Sequence, residues 1–237
     1  MKAATLQALR EAQAAKRAAV LIRPLPDGLE TLLVEGRPVI GTAPEADVAE
    51  AIAKAVALDR SGAIETAAGP VFLQVFNPPL RLLIVGAVHI AQALAPMALI
   101  AGYDVTVIDP RQAFASDERF PGVTVMDDWP DDALEALAPD HRTAVVTLTH
   151  DPKLDDPALD MALRSKAFYI AALGSRRTHA ARGERLTELG HDAASFARIH
   201  GPAGLAIGAI SPAEIALSVL AEMTGALRGA PALRPPS

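Results

Sequence analysis

The chain has no cysteine among its 237 residues. That absence excludes disulfides, thiolate metal ligands, a persulfide carrier and a cysteine nucleophile. Positive charge is also short, with 22 Lys and Arg against 28 Asp and Glu, a net charge of −6. Phosphate-backbone binding needs a basic surface, so nucleic acid is not an expected partner. No uninterrupted apolar run reaches the roughly 18 residues that a membrane span requires. Met1–Val20 carries basic residues without the apolar core or cleavage site of a signal peptide. Thr5–Ala18 therefore reads as an amphipathic helix, and the cytoplasm is the expected compartment. No nucleophile elbow with a Ser–His–Asp order and no Walker loop occurs.

What is present is an ordinary globular composition, 51% apolar and 21% charged. The length allows one or two domains with a sizeable core. Residues 1–79 read as a small α/β unit. Ala19–Ile22 and Thr31–Val34 are expected strands joined by a turn at Pro26–Gly28. Ala46–Leu58 has helical spacing, and Val71–Phe76 is a further strand. Asn77-Pro78-Pro79 breaks the pattern and marks the expected boundary. From Leu80 the order is β-α-β-α, with strands near 81–85, 104–108, 122–126, 143–148 and 168–172. Helices are expected near 89–101, 131–137, 156–164, 177–189 and 212–227. The predicted architecture for 80–228 is a Rossmann-like, mostly parallel sheet with helices on both faces. A Pro-rich, disordered tail is expected over 229–237.

Residues 80–111 have the outline of a dinucleotide-binding βαβ unit. An apolar strand meets the turn Gly86–Ala91, and a second strand ends in Asp109-Pro110-Arg111. The position of the central glycine, where backbone would approach a pyrophosphate, is Val88. Ligands of open parallel sheets sit beyond the carboxyl ends of the strands. The polar segments there are Gly86–His89, Asp109–Arg111, Thr149–Asp156 and Gly174–His179, and they are expected to converge on one crevice.

Each segment offers candidates and a plainer structural alternative. Gly86 permits the tight turn. His89, in the first helical turn, is either a donor to ligand or a hydrogen-bonded structural histidine. Asp109 lies 23 positions beyond Gly86, where a carboxylate accepts from ribose hydroxyls. Arg111 offers a planar fork for an oxyanion or pairs locally with Asp109. His150 and Asp151 could form an acid–base pair or contribute to a metal site, although their spacing matches no strong metal signature, and Lys153 lies beside them. Asp156-Pro157 reads as a helix start, which assigns Asp156 to capping. Gly174, Ser175, Arg176 and Arg177 combine a tight turn, an N-cap and two cations, which suits an anion. His200 opens a glycine-rich loop and is a further candidate. Ser211 and Glu214 read as a capping box.

Taken in order, Gly86–Ala91, Val107–Arg111, Thr149–Asp156, Ala172–His179, Ile199–Pro202 and Ser211–Ala216 resemble the XdhC/CoxI family. Its members act as accessory proteins of molybdenum hydroxylases. The resemblance covers roughly 80–228, with Val88 where members commonly carry glycine. It implies a Rossmann-like domain that binds molybdenum cofactor (molybdopterin) as cargo, protects its sulfurated form and passes it to an apoenzyme such as xanthine dehydrogenase. A cysteine desulfurase would do the sulfur chemistry that this cysteine-free chain cannot. On that reading Arg176, Ser175 and Arg111 hold oxyanions, Asp109 accepts from ring or ribose donors, and His150 with Asp151 lies near the reactive end. Two other readings stay open: an NAD-dependent oxidoreductase, and a regulatory scaffold with a vestigial pocket. Apolar, weakly charged stretches such as Ile215–Leu227 also leave a symmetric homodimer open.

Overall fold

Alternation along the first strand decides the layering of the N-terminal part. In β1 (Ala19–Pro24), Ala19 and Leu21 face one way and Val20 and Ile22 the other, and all four are buried. Such a strand must be covered on both sides. The first side packs on α1 (Ala3–Ala14) through Leu9 and Ala12. The second packs on α2 (Ala46–Ala57) through Ile52. This computed structural model describes residues 1–25, 29–114, 116 and 118–230, so the turn expected at Pro26–Gly28 lies outside the described residues.

The sheet between those helices contains β1, β2 (Thr31–Val34), β3 (Arg37–Ile40), β4 (Gly62–Thr66) and β5 (Gly69–Phe76), in the order β3-β2-β1-β5-β4. Every pairing is antiparallel. The two edge strands were not expected. Both are short, and Pro38 and Gly62 argue locally against a strand; the neighbouring chain supplies the ladder that their own propensity does not. Inter-residue contacts divide the chain into two compact units, Met1–Pro78 and Pro79–Ser237.

The second unit is a doubly wound α/β domain. Its strands are β6 (Leu80–Val85), β7 (Tyr103–Ile108), β8 (Thr124–Met126), β9 (Thr143–Thr147), β10 (Tyr169–Ala172) and β11 (Ile199–His200). They are all parallel, in the order β11-β10-β9-β6-β7-β8. Leu82 and Ile84 face α3 (His89–Ile100) and α8 (Pro212–Arg228), with Ala91, Leu94, Val219 and Met223 filling that layer. Leu83 and Val85 face the opposite layer of α4 (Pro130–Leu137), α5 (Pro152–Arg164) and α6 (Arg176–Glu188). Burial on both faces explains why β6, β9 and β10 read as largely apolar runs.

Three details differ from expectation. The helix α5 begins at Pro152, capped by Asp151, whose Oδ1 accepts from the Lys153 N–H at 3.0 Å. Asp156 is thus a buried residue inside the helix, not its cap. This segment holds two Asp–Pro steps with the same cap signature, Asp151-Pro152 and Asp156-Pro157, and the helix uses the first. A short helix α7 (Ala193–Phe196) and the two-residue β11 went unforeseen. Finally, Gly229 belongs to the described chain, as the left-handed residue (φ 62°) closing α8; residues 231–237 of the expected tail lie outside the described residues.

Candidate functional site

The chain runs from β6 outward through β7 to β8, then returns to β9 on the other side of β6 and continues to β10 and β11. The reversal between β6 and β9 is a topological switch point, where the loops leaving the two carboxyl ends turn apart and open a crevice. The turn Gly86–Val88 leaves β6 there, and Leu148–Asp151 leaves β9.

Gly86 is required for two reasons. Its φ is +108°, and a Cβ at this position would lie 2.5 Å from Thr149 Cγ2 and 3.3 Å from the Thr149 nitrogen. The two loops of the switch point are thus packed against each other. Val88 is the N-cap of α3 and offers no side-chain cap to its free N–H groups. His89 follows, exposed, on the rim.

Asp109 does not face the crevice as a free acceptor. It is fully buried, and its Oδ2 accepts from the Ala87 N–H at 2.8 Å and from Arg111 Nη2 at 2.7 Å. Its Oδ1 accepts from the Arg111 N–H at 3.0 Å and Nε at 2.8 Å. Burial opposes ionisation, yet the hydrogen bonds from Arg111 and Ala87 outweigh it and hold the carboxyl below the usual range. Arg111 is correspondingly pushed up by Asp109, and its guanidinium lies 4.7 Å over the Phe114 ring. Asp109, expected as a ribose or ring acceptor, thus serves here as an internal tie between β7 and the turn after β6. Only a strand-end carboxylate was visible in the sequence; that its oxygens are consumed by the chain is a tertiary fact.

After β9, Thr149 organises the loop. Its hydroxyl donates to Asp155 Oδ1 at 2.6 Å and accepts from the Asp151 N–H at 3.0 Å. His150 is carried in the left-handed region (φ 61°), at a cost of about 1 kcal/mol for a non-glycine residue. It is exposed on the crevice side, whereas Asp151 is occupied as an N-cap and does not pair with it. Lys153 is exposed on the first turn of α5.

After β10, Gly174 and the N-cap Ser175 lead into α6, and Ser175 Oγ accepts from the Thr178 N–H at 3.1 Å. Arg176 and Arg177 are exposed, and neither has a carboxylate partner within salt-bridge distance among the described residues. Beneath them lies Arg182, 1% exposed, a residue not anticipated. Its Nη2 donates to the Leu173 carbonyl at 3.1 Å and lies 3.5 Å from Asp155 Oδ2. Burial lowers the Arg182 pKa and raises that of Asp155, with Thr149 and Arg182 opposing the latter shift. Next to this pair, Asp156 is held by Arg185 through Nε and Nη2. Asp155 falls on the apolar stripe of α5, beside Leu159, and Arg182 lies one turn from Leu186, the other buried residue of the mostly polar α6. For Asp155, a charge inside such a stripe was the available signal.

His200 ends β11. Its Nδ1 is 3.3 Å from Glu222 Oε1, and its ring centroid is 4.7 Å from that of Tyr169. Buried Glu222 also accepts from Tyr169 OH at 2.7 Å and from the Gly204 N–H at 3.0 Å. This carboxylate, another charge in an apolar stripe, ties the 201–209 loop to α8.

Two adjoining hollows result. One, about 390 Å³, lies over the switch point and is lined by Val88, His89, Ile90, Phe114, Leu148 and His150 among others. The other, about 590 Å³, lies between Gly174, Arg176 and the 201–209 loop. Leu173 lines both. The structure thus brings His89, His150, Gly174 and Arg176 to the crevice. Lys153, Arg177 and His200 line neither of these two hollows. Among the described residues no group of three or more His, Asp or Glu is placed to hold a metal ion, and no helix is long and apolar enough to cross a membrane.

Residues 82–223 match the XdhC Rossmann domain. Over 148 residues the chain is 36% identical to the molybdenum cofactor insertion chaperone PaoD of Escherichia coli, covering 62% of this chain and 40% of that protein. It is 33% identical over 153 residues to a Bacillus subtilis protein named as a probable xanthine dehydrogenase subunit, covering 64% of this chain and 44% of the other. The match therefore spans less than half the length of these relatives. A crystal structure described as a xanthine dehydrogenase from Bacillus halodurans superposes with a TM-score of 0.71 at 22% identity, covering 98% of this chain and 66% of that one. That likeness establishes the fold.

Proposed function

This chain belongs to the XdhC family, and from that premise we propose that it carries molybdenum cofactor as cargo and delivers it, in sulfurated form, to a molybdenum hydroxylase of the xanthine dehydrogenase type. The observation that carries this reading is the pair of hollows joined at Leu173, one presenting Arg176 and the other His89 and His150. An elongated ligand with an oxyanion at one end and a flat polar ring system at the other is complementary to that arrangement. The relatives named for cofactor insertion and for xanthine dehydrogenase support the choice of cargo.

In this reading Arg176, at the first position of α6, binds the phosphate end with the free N–H groups of that helix start. His89 and His150 hydrogen-bond the polar edge of the ring system, while Val88, Ile90 and Leu148 exclude water from its faces. Ser175 and Asp151 shape the loops as caps. Asp109 positions the β6 turn, and Arg111, largely committed to Asp109, contributes its remaining N–H groups. Lys153 and Arg177 supply a local positive field. The chain has no sulfur nucleophile, so the reading assigns sulfuration to a cysteine desulfurase and protection of the product to this protein.

NAD is the weaker ligand in this reading. The carboxylate that would accept its ribose hydroxyls is engaged by Ala87 and Arg111, and Val88 stands where a pyrophosphate would meet backbone. The delivery step is tested by incubating cofactor-loaded protein with a molybdenum hydroxylase apoenzyme. Appearance of hydroxylase activity that depends on the loaded protein supports the proposal; equal activation by free cofactor alone overturns it.

A further inference from the structure

The Asp155–Arg182 pair joins two loops that form different halves of the crevice. On one side Asp155 Oδ1 accepts from the Thr149 hydroxyl at 2.6 Å, and Thr149 in turn fixes Asp151 and abuts Gly86. On the other side Arg182 donates to the carbonyl of Leu173, the residue shared by both hollows. Both charged groups are 1% exposed. Arg182 Nε and Nη1 and Asp155 Oδ2 have no hydrogen-bond partner among the described residues. A buried ion pair with open hydrogen-bonding positions is a poor way to stabilise a fold, since an apolar pair of similar volume would serve as well or better. What such a pair supplies is directional constraint. Here the constraint runs from Thr149, adjacent to His150, to Leu173, adjacent to the turn that carries Arg176.

We propose that Arg182 is a positioning residue which, through Asp155 and Thr149 on one side and Leu173 on the other, fixes the separation of the two hollows for one ligand that spans both. The inference rests on the cargo reading above and gives it a length requirement. A ligand bearing both a ring system and an oxyanion gains from the fixed separation. A ligand that occupies one hollow alone is indifferent to it.

The test compares a spanning ligand with a one-ended probe. Wild type, Arg182→Met and Thr149→Val are titrated with molybdenum cofactor and, separately, with inorganic pyrophosphate, and their unfolding midpoints are recorded. Thr149→Val keeps the Cγ2 contact with Gly86 and removes only the hydroxyl, so it decides the matter if Arg182→Met does not fold. The expected result is about ten-fold weaker cofactor binding, with pyrophosphate affinity unchanged within about two-fold. Variants that bind cofactor as wild type does overturn the inference alone. So does a parallel loss of both affinities that follows the fall in stability, which marks a purely structural pair. Wild type that binds pyrophosphate but not cofactor overturns the cargo reading and the inference with it.

Discussion

Asp109 Oδ2 accepts the backbone N–H of Ala87 at 2.8 Å, so the carboxylate at the end of β7 holds the turn that leaves β6. A residue expected to contact ligand is thus a strut of the crevice. The same carboxylate fixes the Arg111 guanidinium over Phe114, and that arranges the wall of the smaller hollow.

Asp109→Ala should therefore act first on stability. It strands the buried Ala87 N–H and releases Arg111, which together cost about 3 kcal/mol. Trp129 is the single tryptophan of the chain and lies in the second unit, so its fluorescence in a urea titration reports that unit. An unchanged midpoint would mean that the tie is dispensable.

Gly86→Ala combines a strained φ with a collision against Thr149. The expected loss is about 3 kcal/mol, roughly half from each cause. Gly190 provides the control. Its φ is +94° but a Cβ there meets nothing within 4 Å, so Gly190→Ala should cost only about 1 kcal/mol. Equal midpoints for the two variants would contradict the close packing of the two loops.

Acid should destabilise the fold. Asp109, Asp140 and Asp160 have lowered pKa values because hydrogen bonds and cationic partners outweigh burial. A depressed carboxyl contributes stability that is complete above its unfolded value, about 3.9, and that is lost as pH falls through its folded value. Asp155 works in the opposite sense, since burial raises its pKa. Stability should then fall as pH drops below about 4, and Asp155→Asn should remove a stabilising contribution that enters above that window, as pH falls from the raised folded value toward about 3.9. Urea midpoints that do not fall over this range would contradict the assignment.

Much of the second unit was legible because its strands are buried on both faces. The runs at β6, β9 and β10 leave no alternative to a covered parallel sheet, and the parallel order alone sends the polar loops to one edge. The edge strands β3 and β4 were not legible, since a five-residue segment such as Gly62–Thr66 is a strand only because β5 pairs with it. The cap of α5 was misplaced because Asp151-Pro152 and Asp156-Pro157 carry the same local signal. Within the site, His89, His150 and Arg176 could be placed by topology. The engagement of Asp109 depends on a hydrogen bond across 22 positions, and no local pattern encodes it. Asp155 and Glu222 were visible in principle, as charges within apolar helical stripes, whereas Arg182 sits in a polar helix whose sequence carries no such signal.

Glu222→Ala should loosen the roof of the larger hollow. It removes the acceptor of Tyr169 OH and of the Gly204 N–H, at a cost of about 2 kcal/mol. Hydrogen exchange at Gly204 should quicken selectively within the 201–209 loop. Exchange that speeds equally across the whole second unit would point to global destabilisation instead.

The most direct measurement is a binding titration of the purified protein with molybdenum cofactor and with NAD, repeated on Arg176→Glu. Saturable cofactor binding tighter than NAD binding is expected. The charge reversal should weaken cofactor binding by at least about ten-fold, the scale of one charge-assisted contact, and leave the urea midpoint unchanged. Tight NAD binding without cofactor affinity, or cofactor affinity indifferent to Arg176→Glu, would contradict the proposed role of the crevice.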